Sequence, residues 1–160
     1  MTKFLLAVHV LAAIIAIGPV TVAASMFPAA VRRAVAAPAD PAGPATVRTL
    51  HRICRVYAVI AAVVPVSGFA TAKSLHVLGS AWLITSIALT ALAAVVLGGL
   101  VLPRQEATLD ALDALDAPAG PPGTADRTSR QLAMYTGVFN LLWATVTVLM
   151  IIRPGSTTGA

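Results

Sequence analysis

An all-α integral membrane protein, a bundle of four transmembrane helices with both termini outside, is the fold this sequence predicts. Three observations predict it. Hydrophobic residues fill 58% of the 160 positions and charged residues only 11%, whereas soluble domains carry about 25% charged residues. Four stretches each hold about 20 mostly apolar residues, the length that crosses a hydrocarbon core. The basic residues, Arg55 excepted, fall outside those stretches and mainly on one side of them.

The first span runs from Phe4 to about Phe27, the second from Cys54 to Ala72, the third from Trp82 to Leu102 and the fourth from Gln131 to Ile152. Only Arg55, at the start of the second, brings a charge into any of them. Connections 28–53 and 103–130 hold Arg32, Arg33, Arg48, Arg52, Arg104, Arg127 and Arg130, with Arg55 beside them. Lys3, Lys73 and Arg153 lie on the other side. Positive charge is retained in the cytoplasm, so these connections are expected inside, and the N-terminus, the turn near Lys73 and the C-terminus outside. The competing reading is a cleaved leader over residues 1–24, with Lys3 as its basic start and Val22-Ala23-Ala24 before the cut. Its apolar run is longer than the about 7–15 residues of a leader core.

In the first connection, Pro28 is expected to open a short helix, and the run from Pro38 to Ala45 to break it. In the second, Gln105 to Asp116 reads as a helix prolonging the third span, and the Pro/Gly-rich stretch after it as a flexible turn. Asp110, Asp113 and Asp116 lack the spacing and glycine turn of a calcium loop. They are expected to be solvated or to pair with the arginines of the first connection.

Membrane helices associate through small residues and interhelical hydrogen bonds. The expected inward faces are therefore His9, Ala12, Ala13 and Ala16 in span one, and Ala58, Ala61, Ala62, Pro65 and Gly68 in span two. In span three they are Ser86, Thr90, Ala94 and Gly98. In span four they are Ala133, Thr136, Gly137, Asn140, Ala144 and Thr147. Pro65 removes the donor for the Ala61 carbonyl, and Asn140 is the expected replacement. His9, Asn140, Thr90 and Ser86 form the intramembrane polar set. Tyr57, Tyr135 and Trp82 read as interfacial anchors, Trp143 as a packing residue, and Cys54 as a small apolar one.

No carboxylate or lysine sits in mid-span, as ion-coupled transport usually requires, and no nucleophile–base–acid set is present. The basic residues are not interleaved with aromatics, which argues against nucleic acid as a partner. Haem is the sharpest cofactor reading: His9 faces the small-residue side, and His76, near the same outer end, is the one histidine that can approach it. His51 lies at the opposite end.

Three stretches, KFLLAVHVLAAIIAIGP, LHRICRVYAVIAAVVPVSGFATA and GVFNLLWATVTVLMIIRPG, give the chain a resemblance to an uncharacterised family of small bacterial four-span membrane proteins. That resemblance implies fold and location, and no activity. Span one, with His9 and Gly18, also resembles the first span of copper-resistance D-type proteins and of protoporphyrinogen oxidase-type haem membrane proteins. Only His9 carries over, because the intramembrane lysine of those oxidases has no counterpart here. The expectation is a non-enzymatic, multi-pass protein of the cytoplasmic membrane. It would be a structural or accessory component in contact with lipid, able to self-associate or join a larger membrane complex. The alternatives are a b-type haem electron-transfer protein and a small transporter or channel component.

Overall fold

A computed structural model describes residues 2–114 and 124–155. It contains four long helices, three of them 33 residues or more. Helix α1 is Thr2–Ala36. The second long helix is α2 (Ala42–Ile60) followed by α3 (Val63–Ser74). The third is α4 (Ala81–Val95), a π-helical stretch Val96–Val101, and α5 (Leu102–Asp113). The fourth is α6 (Thr124–Ile152). All four are long and apolar enough to cross a membrane.

The first connection is shorter than expected. Helix α1 runs through Pro28 to Ala36, and α2 starts at Ala42, so residues 37–41 are all that is not helical. Asp40 makes this possible: its Oδ1 accepts the Ala42 amide at 3.0 Å. Pro44 then falls in the first turn of α2, where no amide donor is needed. The expected helix after the third span exists as α5. The Pro/Gly-rich stretch after it, and Asp116, lie outside the described residues.

At 1.5 Å per residue the 35-residue α1 is about 50 Å long, against about 30 Å of hydrocarbon. Arg55 and Lys73 bracket about 27 Å of the second long helix, and Tyr135 and Arg153 about 27 Å of the fourth. Guanidinium–aromatic pairs mark both levels. Arg104 lies over the Tyr135 ring, 4.3 Å from its centroid, and Arg153 over the Trp82 ring at 5.8 Å. A slab between these levels leaves the end of α1, most of α2, α5 and the start of α6 projecting beyond it. Four long apolar helices thus form a membrane bundle that is longer than such a slab at its arginine-rich end.

Helix α1 packs along α2 and α3 on one side and against α6 on the other. Helix α6 packs on α4 and the π-helical stretch, and α5 closes the ring on α2. The inward positions follow alternating steps of three and four. Helix α1 turns in Ala16, Val20, Ala23, Phe27, Ala30 and Ala34. The second long helix turns in Val47, Leu50, Cys54, Tyr57, Ala61, Val64, Gly68 and Thr71. Helix α6 turns in Ser129, Leu132, Thr136, Phe139, Trp143 and Val146. This is the seam of helices crossing at small angles. The main core, Val20 through Ala34 with Val47, Leu50, Cys54, Val101 and Leu132, lies at the arginine-rich end. A small cluster of Ala72, Trp82 and Leu83 closes the other.

Only part of the expected small-residue faces turns inward. In α1 the expected side holds: Ala16 is buried, His9, Ala12 and Ala13 half-buried, and Val8, Leu11, Ile14 and Ile15 exposed. In the second long helix Ala62 and Pro65 are exposed. In the third, Ser86 is buried but Ala94 and Gly98 are exposed, because an i, i+4 row drifts about 40° per step on a 3.6-residue helix. In α6, Ala133, Ala144 and Thr147 are exposed, while Leu132, Phe139 and Val146 fill the interior. A heptad seam selects positions by phase, and side-chain size is then accommodated by the neighbour.

Both interruptions trace to proline. Pro65 cannot donate to the Ala61 carbonyl, which accepts the Val64 amide at 3.0 Å in a tighter turn. Asn140 is not involved. Pro103 likewise leaves the Gly99 carbonyl without its usual donor, next to Gly98 and within the π-helical stretch. That turn admits an extra residue. The inward positions therefore step by fours through Ala93, Leu97, Val101 and Gln105 before resuming at Thr108.

Candidate functional site

Three polar constellations join helices. The first lies in the membrane-crossing part, between α1 and α3. His9 Nδ1 is 3.0 Å from Ser67 Oγ, and Ser67 Oγ donates to the Val64 carbonyl at 3.0 Å. With the hydroxyl proton directed to that carbonyl, His9 Nδ1 serves as the donor in the tautomer that satisfies both bonds, which leaves Nε2 as the acceptor nitrogen. Gly68 lets the ring approach: a Cβ at that position would stand 2.9 Å from His9 Cε1. One turn further, Thr71 Oγ1 bonds the Ser67 carbonyl at 2.8 Å and reaches the Leu5 carbonyl at 3.4 Å.

His76 is not part of this constellation. It follows the end of α3, exposed, in a turn with φ of 56°. Nine positions separate it from Ser67, and the helical part alone carries the chain about 10 Å away. His76 thus stands apart from the His9–Ser67 pair, on the exposed turn that follows α3.

The second constellation lies at the arginine-rich end. Gln105, 0% exposed, has its Oε1 3.2 Å from His51 Nδ1 and donates from Nε2 to Cys54 Sγ at 3.7 Å. His51 and Cys54, three apart on α2, present one face, and Gln105 reaches them from α5 immediately past the π-helical stretch. Sequence reasoning placed His51 among arginines and did not single out Gln105. The signal was available: Gln105 is the first uncharged polar residue after an apolar run ending in Gly-Gly and proline. Arg48 pairs with Asp113 nearby, both side chains about half exposed. This joins α2 to α5 as the expected pairing of the two connections requires.

The third joins α1 to α6. Asn140 Nδ2 donates to Ser25 Oγ at 3.2 Å. Ser86 and Thr90 bond back within their own helix, to the Trp82 and Ser86 carbonyls at 2.8 and 2.7 Å, and neither links two helices among the described residues. Trp82 Nε1, Ser129 Oγ, Thr136 Oγ1 and Asn140 Oδ1 are buried without a hydrogen-bond partner among the described residues. No group of three or more His, Cys, Asp or Glu side chains among the described residues is placed to hold a metal ion.

A family profile described as a predicted integral membrane protein (DUF2269) matches residues 3–154. No curated protein and no solved structure matches the chain.

Proposed function

The chain belongs to the DUF2269 family of predicted integral membrane proteins, and from that premise we propose that it is a non-enzymatic, structural or accessory component of the cytoplasmic membrane. It is a multi-pass protein embedded in lipid; its proposed task is to hold a helical extension at one face of the bilayer, on which partner chains or further copies assemble. The observation that carries this reading is where the core lies. Phe27, Val47, Cys54, Val101, Leu132 and Gln105, all under 2% exposed, concentrate where the bundle leaves the hydrocarbon slab.

The extension faces the cytoplasm and both termini face out, because eight of the eleven basic residues lie at or beyond its membrane boundary. Retention of residues 1–24 is part of this proposal; the burial of Val20, Ala23 and Ala24 in the same seam as Phe27 supports it. Labelling with an impermeant thiol reagent tests the orientation. Gly79→Cys and Ala37→Cys, each in a Cys54→Ser background, report opposite ends. On intact cells only Gly79→Cys reacts; reaction of Ala37→Cys alone overturns the orientation. An intact mass short by residues 1–24 overturns retention.

One observation favours the second reading, b-type haem binding. With Nδ1 bonded to Ser67, the free lone pair of His9 Nε2 has the arrangement of an oriented axial ligand. The visible spectrum of protein purified from haem-sufficient cells separates the two: a Soret band lost in His9→Ala establishes haem, and a featureless spectrum supports the accessory role.

A further inference from the structure

We propose that the outward face of α2, continued by the start of α3, binds an anionic phospholipid, with Arg52 and Arg55 on its phosphate and an acyl chain along Val56, Val59 and Val63. Arg52 and Arg55 are exposed, three positions apart on one face of the helix, so both guanidinium groups reach one phosphate. Neither has an ion-pair partner among the described residues, whereas Arg48, one turn further from the membrane, is already neutralised by Asp113. The charged stripe ends where the same side of the helix becomes apolar: Val56, Val59 and Val63 are 47%, 72% and 54% exposed. Arg55 stands about 27 Å of helix from Lys73, at headgroup depth, while Arg32 and Arg33 sit near the far tip of the extension. Two unpaired cations at one site match the net negative charge of an anionic headgroup and not a zwitterionic one, whose ammonium group would meet them.

The proposal rests on the membrane placement above but not on which side the extension faces. Its test is lipid selectivity in reconstituted bilayers, read as the motionally restricted fraction of spin-labelled phosphatidylglycerol against spin-labelled phosphatidylcholine. Each arginine near a charged surface contributes about fivefold in affinity. The wild-type protein is therefore expected to prefer phosphatidylglycerol by about fivefold or more at low salt. Arg52→Gln/Arg55→Gln brings the ratio to about one, and Arg52→Lys/Arg55→Lys and Arg32→Gln/Arg33→Gln retain it. A preference that survives Arg52→Gln/Arg55→Gln, or that disappears equally in Arg32→Gln/Arg33→Gln, overturns the assignment. So does displacement of the labelled lipid by millimolar inorganic phosphate alone, which would make this a free-anion site.

Discussion

His9 on α1 and Ser67 on α3 meet at 3.0 Å across the bundle, and Gly68, next in sequence, leaves the room that the imidazole occupies. Interhelical hydrogen bonds in membranes are worth about 0.6 kcal/mol and rarely more than about 1.7. His9→Ala is therefore expected to insert normally and to lose about 1 kcal/mol in a detergent unfolding titration. Gly68→Ala brings a Cβ within 2.9 Å of the ring and is expected to cost more, by about 1–3 kcal/mol. In the double variant most of that penalty should disappear, because the clash needs the imidazole. An additive double variant would show that the two do not share one contact.

At the far tip, Gly43 sits against the backbone of Ala34: a Cβ there would be 2.9 Å from Ala34 Cα. Backbone atoms cannot rotate away as a side chain can. Gly43→Ala is expected to separate α1 from α2 locally and raise the reactivity of the buried Cys54 toward a thiol reagent by several-fold. Unchanged labelling kinetics would mean that the helices shift without opening.

Gln105 satisfies His51 and approaches Cys54 from inside the extension. Gln105→Ala removes the partner of a half-buried imidazole and opens a cavity, so a loss of about 2–4 kcal/mol is expected. Gln105→Leu fills the space but leaves His51 unpaired, at about 1–3 kcal/mol. A thermal unfolding series of both variants checks the order; equal losses would show that the hydrogen bond, not volume, matters at this position, and an undiminished stability in Gln105→Leu would show the reverse.

The Arg48–Asp113 pair is a weaker fastening. Both side chains are about half exposed, so the coupling in a double-variant cycle should be about 0.2–1 kcal/mol and shrink in 1 M salt. A larger, salt-insensitive coupling would show the pair shielded by neighbours.

The presence of four apolar spans and the one-sided placement of arginine could be read from the sequence, because apolar length and charge position are local properties of the chain. The outward faces of α1 and of the second long helix were legible for the same reason: Leu11, Ile14, Val59 and Val63 are bulky where lipid accepts them. Small size marked some inward positions, such as Ala16, and misplaced others, such as Ala94 and Ala144. The interior selects a phase every three and four residues, and Phe139 or Leu132 serves there when the opposing helix yields space. The meetings of His9 with Ser67, of Gln105 with His51 and Cys54, and of Asn140 with Ser25 were decided by tertiary structure alone. Each depends on which side chain lies opposite after the helices pack. Residue composition thus determined that this protein lives in a membrane, while the length of the bundle and the place of its core were decided by how four long helices pack together.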